Sequence, residues 1–552
     1  MTERTSEKIS SIVSKLNCSD CKLINFAKGE IRCKADSCSC ENKKIEHKTI
    51  LDLYANLYFH LDNINLAEFE TIIQDDDGLY QKIHQEIKDA WKHHTREYPY
   101  DTYDDKDLSV ETKQRFEKSL LVSSNLEELL LTIVSWLYIL DEHLAGIGDD
   151  LDQFRFEMEL KTVRGILIRK KPSIITEYFS ENEINPPVNP NYISLIANVK
   201  NFQLVQSKYQ YYEVKHQRIY PFELLQGKTI EDISVGFLPG NLTFEDYKWE
   251  VSSEDENYNK AFVFQEIINA DYYDHVEKNI EKVLTKKPNF IILPELAAPW
   301  ELQTKIKIQI EDHFTEIDAK GLPEHLALLI SGSFHEKTTL IFPHEQHKAE
   351  KFYNVSSIAL GDGSDFYHVC KMNKFKVVKY KGYQGSLAAF RENHGIEKSA
   401  FDKREIKIIE TPIGRIAILI CVDLLNINVE EIITERHVNI LFVMTLTQSP
   451  STGKFLRRMQ ELGERSQTTV IICNNTGSFQ NSDKIVAYFP GIKEPFTSDQ
   501  DGEVYTIKEM IEGAQKNSAK KERKKRLLKK VKLHTIDSKV YYLCTKRDAE
   551  EG

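Results

Sequence analysis

The chain has 552 residues, 41% hydrophobic and 29% charged, and carries a formal net charge of −12. That length exceeds what one hydrophobic core serves, so two or more domains are expected, and the composition excludes a disordered or fibrous chain. The acidic balance excludes a global attraction to nucleic acid and leaves only a local basic patch for such binding.

The first residues, MTERTSEKISSIVSKLN, read as the start of an amphipathic helix and lack the basic start, apolar run and small-residue cleavage site of a leader. The longest apolar run, Leu129 to Leu140, is interrupted by Thr132 and Ser135 and is too short to span a bilayer. A cytoplasmic protein without membrane contact is the expectation. Of the nine cysteines, five crowd into Cys18-x2-Cys21, Cys33, Cys38 and Cys40, with His47 nearby. Thiolates so spaced suit a tetrahedral structural zinc, and free surface thiols are the alternative.

Residues 1–225 read as a mainly helical domain of unassigned function. LEELLLTIVSWLYILDEHLAG is apolar around nearly its whole circumference, which places it deep in a bundle. Glu157 to Arg169 continues the helical pattern, and NPPVNPNY (185–192) is a proline-punctuated loop. From about residue 230 short apolar strands alternate with helices: strands at 233–238, 289–296, 326–334, 354–363, 366–372, 405–425 (two, joined by the Pro412–Gly414 turn), 439–444 and 469–477, with helices at Asp274–Leu284 and Lys454–Ser466. This is an α/β pattern of buried strands covered by helices, assigned to residues 230–545. One stretch departs from it. AKKERKKRLLKKVK (519–532), between the DGEVYTI strand and a last strand VYYLC, holds nine Lys or Arg and one Glu. The run Lys520–Lys532 suits nucleic acid or an acidic partner, and otherwise a solvated insertion or exposed helix.

Three reactive side chains close strands in the α/β part: Glu295 ends IILPE, Lys371 ends FYHVCK and Cys421 ends IAILIC. A thiol needs a base or a cation beside it to become a nucleophile. Glu295 supplies a base, Lys371 a cation for the thiolate and then for an oxyanion, and the N–H of Val422 a second oxyanion donor. Singly each residue is weak. A cysteine closing an apolar strand packs readily as core, a Glu after Pro caps a helix, and Lys374 satisfies any argument from residue type that Lys371 does.

In order, LPEL, YHVCKMNKF and PIGRIAILICVDLL resemble the Glu, Lys and Cys motifs of the nitrilase superfamily of carbon–nitrogen hydrolases. The flanking YNVSSIALGDG, NILFVMTLTQSP, RRMQELGERS, TVIICNNTG and DQDGEV resemble the family's neighbouring segments, so the likeness covers about residues 230–545. It implies a four-layer α-β-β-α sandwich behind the helical domain, with Glu295 as general base, Lys371 as the family lysine and Cys421 as nucleophile, needing no cofactor for catalysis. The family's second glutamate falls on Glu392 or Glu397, with Glu392 favoured. Homo-oligomers are usual in the family. Two positions depart from its pattern: Val422 where an aromatic residue is usual and Asn373 where His is frequent, both expected near the substrate. The resemblance implies a thiol-dependent hydrolase that cleaves an amide or nitrile of a small molecule through a thioester. The large helical region raises the alternative of a binding or sensing module in a regulatory or defence system, without turnover.

Overall fold

The structure is a computed structural model that describes residues 49–61, 78–97, 126–150, 160–162, 165–170, 199, 201–205, 212–218, 222–253, 260–317, 325–337, 351–381, 384–398, 404–448, 450–477 and 482–536, with single positions at 114, 116, 118, 119, 175, 178 and 179. The chain divides into two compact units, one of residues 1–171, 187–210 and 434–437, the other of 172–186, 211–433 and 438–552. The cysteine cluster, the loop 185–192 and the expected last strand lie outside the described residues.

The first unit contains α1 (Ile50–Leu61), α2 (Leu79–Glu97) and α3 (Leu126–Asp150), followed by β1 (Leu160–Thr162), β2 (Gly165–Arg169) and β3 (Phe202–Val205). Helix α3 is buried on all sides from Leu130 to Leu137, Thr132 and Ser135 included, as its all-round apolar pattern requires. Its Asp141 is the polar centre of this core. One carboxylate oxygen accepts from Tyr54 Oη (3.0 Å) and Phe202 N (3.0 Å), the other from Asn201 N and Nδ2 (both 2.9 Å), so one side chain joins α1, α3 and the start of β3. The helical reading of 157–169 is corrected. Strands β1 and β2 pair antiparallel, and β2 pairs with β3 some 35 residues onward, Ile166 opposite Val205. Non-local pairing of the β-branched Ile166 and Ile168 overrides a weak helical periodicity.

The second unit is built on β4 (Glu213–Arg218), β5 (Ser234–Phe237), β6 (Tyr247–Ser253), β7 (Lys260–Ile267), α4 (Ala270–Leu284), β8 (Phe290–Ile292), α5 (Trp300–Ile317), β9 (Leu328–Ile330), β10 (Phe334–Lys337), β11 (Phe352–Leu360), β12 (Asp365–Cys370), β13 (Lys376–Val377), β14 (Gly395–Glu397), β15 (Glu405–Thr411) and β16 (Gly414–Ile420). It continues with α6 (Ile427–Glu435), β17 (Ile440–Thr445), α7 (Gly453–Ser466), β18 (Thr469–Asn474), β19 (Ile485–Tyr488), β20 (Phe496–Ser498), β21 (Glu503–Thr506) and α8 (Ile507–Ile536). Among the described residues these strands form two seven-stranded mixed sheets and one of four strands. The first runs β10-β11-β9-β8-β5-β21, with β12 added on β11; the second runs β20-β19-β18-β17-β16-β15-β4; the small one runs β13-β14-β7-β6. Strands β5, β8 and β9 are parallel neighbours, as are β16, β17 and β18, and all are buried, which is why they read as near-continuous apolar runs. Phe290 of the first sheet meets Phe442 of the second with ring centroids 5.3 Å apart.

Helices α4 and α7 bury Tyr272, Val276, Ile280 and Val283, and Phe455, Met459 and Leu462, at the three- and four-residue spacing of a one-sided helix. The expected DGEVYTI strand stops at Thr506. Helix α8 begins at Ile507 because Thr506 and Glu509 form a reciprocal cap, Thr506 N to Glu509 Oε2 2.8 Å and Glu509 N to Thr506 Oγ1 3.1 Å. The basic run is thus helical, and its part from Lys520 to Arg526 is exposed. No helix among the described residues is long and apolar enough to cross a membrane.

Candidate active site

Four side chains from three sheets converge. Glu295 follows β8 and Lys371 follows β12, both of the first sheet; Cys421 follows β16 of the second; Glu397 closes β14 of the small sheet. None is more than 3% exposed. Two of their turns use backbone conformations that L-residues rarely adopt, with φ of 58° at Leu296 and 50° at Cys421. At Cys421 this conformation breaks the strand abruptly and starts a short 3-10 turn, Cys421–Leu425. Behind the Glu295 turn, Gly332 (φ 78°) lies so close that a Cβ would stand 2.9 Å from the Pro294 carbonyl oxygen, so glycine is required there.

Lys371 is the hub. Its ammonium donates to Glu295 Oε1 at 2.6 Å and to Glu397 Oε2 at 2.7 Å. Asn354 Nδ2, from β11, donates to Glu295 Oε1 (3.1 Å) and Glu397 Oε1 (3.0 Å), so a single amide spans both carboxylates. Backbone amides complete each carboxylate: Leu446 N reaches Glu295 Oε2 at 3.1 Å and Phe375 N reaches Glu397 Oε2 at 2.7 Å. The buried Cys421 thiol lies beside the Glu295 carboxylate and the Lys371 ammonium, and its ionisation responds to both charges. Behind Glu397 stands His335 of β10, whose side chain has no solvent exposure. Its Nδ1 accepts from Phe264 N at 3.0 Å, so Nε2 must carry the ring proton and donate it to Glu397 Oε1 at 2.8 Å. The Phe264 ring stacks on the imidazole at 5.6 Å.

The electrostatics follow from burial and this pairing. Burial opposes the Lys371 charge, but Glu295 and then Glu397 outweigh it and raise its pKa well above the usual lysine value. Burial likewise opposes ionisation of Glu397, while the Lys371 charge and the His335 hydrogen bond hold its carboxyl well below the usual range. Burial, then the Glu295 charge, push the Cys421 thiol up, with Lys371 pulling the other way. That upward shift concerns loss of the proton to water. With both carboxylates ionised, Lys371 charged and the thiol neutral, the cluster sums to one negative charge, and moving the proton from Cys421 to Glu295 leaves that sum unchanged. Internal transfer therefore avoids burying a second net charge.

Asp423 binds the Cys421 turn to the lysine loop. Its two oxygens each accept from Met372 N at 3.1 Å, and Oδ1 also accepts from Asn373 Nδ2 at 2.8 Å. Burial nonetheless raises its carboxyl to about 7. The Asn373 side chain braces the two loops, its Oδ1 accepting from Asn426 Nδ2 at 2.8 Å. Val422 is half-buried in the turn directly after Cys421.

Sequence reasoning placed Glu295, Lys371 and Cys421, and the structure brings all three together. It separates Lys371 from Lys374, which is exposed. Glu392, the favoured second glutamate, is corrected. It lies exposed in a bend, whereas Glu397 is turned inward by the parallel pairing of β14 with β7. His335, Asn354 and Asp423 were missed as site residues, although Asp423 stood in the quoted motif. The expected zinc ligands Cys18, Cys21, Cys33, Cys38 and Cys40 lie outside the described residues, among which no group of His, Cys, Asp or Glu is placed to hold a metal ion.

Residues 269–491, which contain the whole cluster, match the family model described as carbon–nitrogen hydrolase. Over that part the chain is therefore similar to carbon–nitrogen hydrolases. No curated protein matches the chain. Similar solved structures include a variant of an amidase from Nesterenkonia sp. AN1 with the acetamide moiety of fluoroacetamide added covalently at its active-site cysteine (10% identity, 52% of this chain and 94% of that one, TM-score 0.32). Others are Nit3 of Saccharomyces cerevisiae, from branch 10 of the nitrilase superfamily (14%, 50% and 90%, TM-score 0.31), and the glutamine-dependent NAD+ synthetase of Acinetobacter baumannii in complex with ADP (14%, 49% and 42%, TM-score 0.28).

Proposed function

We propose that the C-terminal part is a thiol-dependent hydrolase of amide or nitrile carbon–nitrogen bonds, with Cys421 as nucleophile, Glu295 as general base and acid, and Lys371 as the cation of the site. The observation that carries this is the buried Glu295–Lys371 pair, 2.6 Å apart, beside the buried Cys421 thiol whose ionisation both charges influence, within the matched family segment. For an amide, Glu295 takes the thiol proton as Sγ bonds to the carbonyl carbon. The oxygen then carries the negative charge, facing Lys371 and the N–H of Val422. Collapse breaks the C–N bond, Glu295 returns the proton to the leaving nitrogen, and ammonia or an amine departs. Water, deprotonated by Glu295, then attacks the thioester; the acid leaves and the proton returns to Cys421. Glu397 stays ionised and keeps Lys371 aimed and charged. In this reading the two seven-stranded sheets are the inner layers of an α-β-β-α sandwich, supported by the Phe290–Phe442 contact between them.

Ammonia release from a panel of simple amides, measured for the full chain and for Cys421→Ala and Glu295→Gln, tests the proposal. Wild-type turnover that both substitutions abolish is expected. Turnover that survives Cys421→Ala refutes the mechanism. A wild type that releases no ammonia and whose Cys421 forms no acyl adduct favours the binding or sensing module.

A further inference from the structure

Six large hydrophobic side chains are strongly exposed among the described residues, and three of them, Phe375 (38%), Val378 (64%) and Tyr380 (62%), fall within one six-residue stretch. Such residues scattered singly need no explanation, but a cluster marks a binding surface. The same stretch, KFKVVKYK (374–381), contains Lys374, Lys376, Lys379 and Lys381, all exposed, and no acidic residue, on a chain whose net charge is −12. It begins at the cluster itself. The Phe375 ring centroid is 5.8 Å from Lys371 Nζ and its N–H is bound to Glu397, while its ring faces partly outward. The backbone of the stretch is held in place. Phe375 O accepts from Glu397 N at 2.9 Å, β13 pairs with β14, and Tyr380 N donates to Phe390 O at 3.2 Å. A fixed backbone with apolar and cationic side chains directed outward is a prepared surface, at little ordering cost to a ligand.

We propose that residues 374–381 form the rim that selects the substrate: an amide carrying an anionic group at the far end of an apolar body, the amide reaching Cys421 and the anion lying among the lysines. This rests on the hydrolase reading above. A local cluster of one sign concentrates an oppositely charged ligand at its mouth.

The test compares 6-amino-6-oxohexanoate with its methyl ester, which keeps the amide and the chain but removes the charge. The proteins are wild type, the charge variant Lys376→Glu/Lys379→Glu/Lys381→Glu and the apolar variant Val378→Ser/Tyr380→Ser. Wild type should prefer the carboxylate in kcat/KM, the preference residing in KM, and 0.5 M NaCl should erase it. The charge variant should lower the preference by about tenfold; the apolar variant should weaken both substrates together. Calorimetric binding of the two amides to Cys421→Ala reads the same preference without turnover, so loss of the hydrolase reading and loss of the rim are told apart. Equal binding of carboxylate and ester overturns the rim. So does a wild-type dimer that the apolar variant breaks with the substrate preference unchanged, since that assigns the surface to a second copy of the chain.

Discussion

Replacing His335 separates what it contributes by bonding from what it contributes by filling space. In His335→Leu, Glu397 loses the Nε2–H donor at 2.8 Å and the Phe264 N–H loses its acceptor at 3.0 Å. A hydrogen bond to a charged group is worth about 1.5–3 kcal/mol, and a buried N–H left without a partner costs about 1–3 kcal/mol. The side chain has no exposure, so water offers no substitute short of a structural change. The expected destabilisation is therefore about 3–5 kcal/mol, a large share of the ordinary margin of about 5–15 kcal/mol. His335→Gln is the control, because its amide has one acceptor and a donor, and can accept from Phe264 N while donating to Glu397. It should recover most of the loss. Urea unfolding followed at pH 7 by tryptophan fluorescence measures both. Activity should follow the same order, because a Glu397 lacking one donor no longer holds Lys371 in a single position. If His335→Leu is as stable as wild type, or His335→Gln falls as far as His335→Leu, the bonding account is wrong and His335 contributes only volume.

Two further substitutions probe the charges. Glu397→Gln removes one partner of a buried pair, and should cost about 3 kcal/mol in stability and roughly a hundredfold in kcat/KM, while Glu392→Gln should stay within about 0.5 kcal/mol of wild type; equal effects would undo the assignment of Glu397. Asp423 gives a pH signature. Its carboxyl is raised to about 7 by burial, against about 3.9 in an unfolded chain, so the folded protein holds an extra proton between those values. The stability this contributes is full below about pH 4 and is lost as pH rises through about 7. In Asp423→Asn the decline in urea midpoint between pH 5 and pH 8 should shrink relative to wild type; an undiminished decline would assign the pH dependence to another group.

The legible part of the site is the part set by local strands. Glu295, Lys371 and Cys421 each close an apolar run, and a buried strand announces itself in sequence by such a run. Glu397 was not separable from Glu392 because the two stand five residues apart in one charged segment, and only the pairing of Gly395–Glu397 with Lys260–Phe262, over 130 residues earlier, turns one of them inward. His335 and Asn354 sit within strands whose polar residues look solvent-facing. They are buried because the small sheet supplies Phe264 above His335, and that sheet was itself unread. A signal for it existed: Tyr247, Trp249 and Val251 alternate with polar residues along β6, as on a half-buried strand. In the first unit, burial of α3 followed from its composition, whereas β1 and β2 depended on a partner strand at 202–205 that no local pattern indicates.

The amides of Met372, Phe375 and Leu446 all end on buried carboxylates of the site, those of Asp423, Glu397 and Glu295. An amide proton is the same whatever side chain its residue bears, proline excepted. Much of the framework that orients the reactive groups is therefore written in the main chain, where mutation cannot easily reach it. Substitution at these three positions leaves the amide donors themselves in place, and comparison of residue identities alone will understate how much of the site two distant chains share.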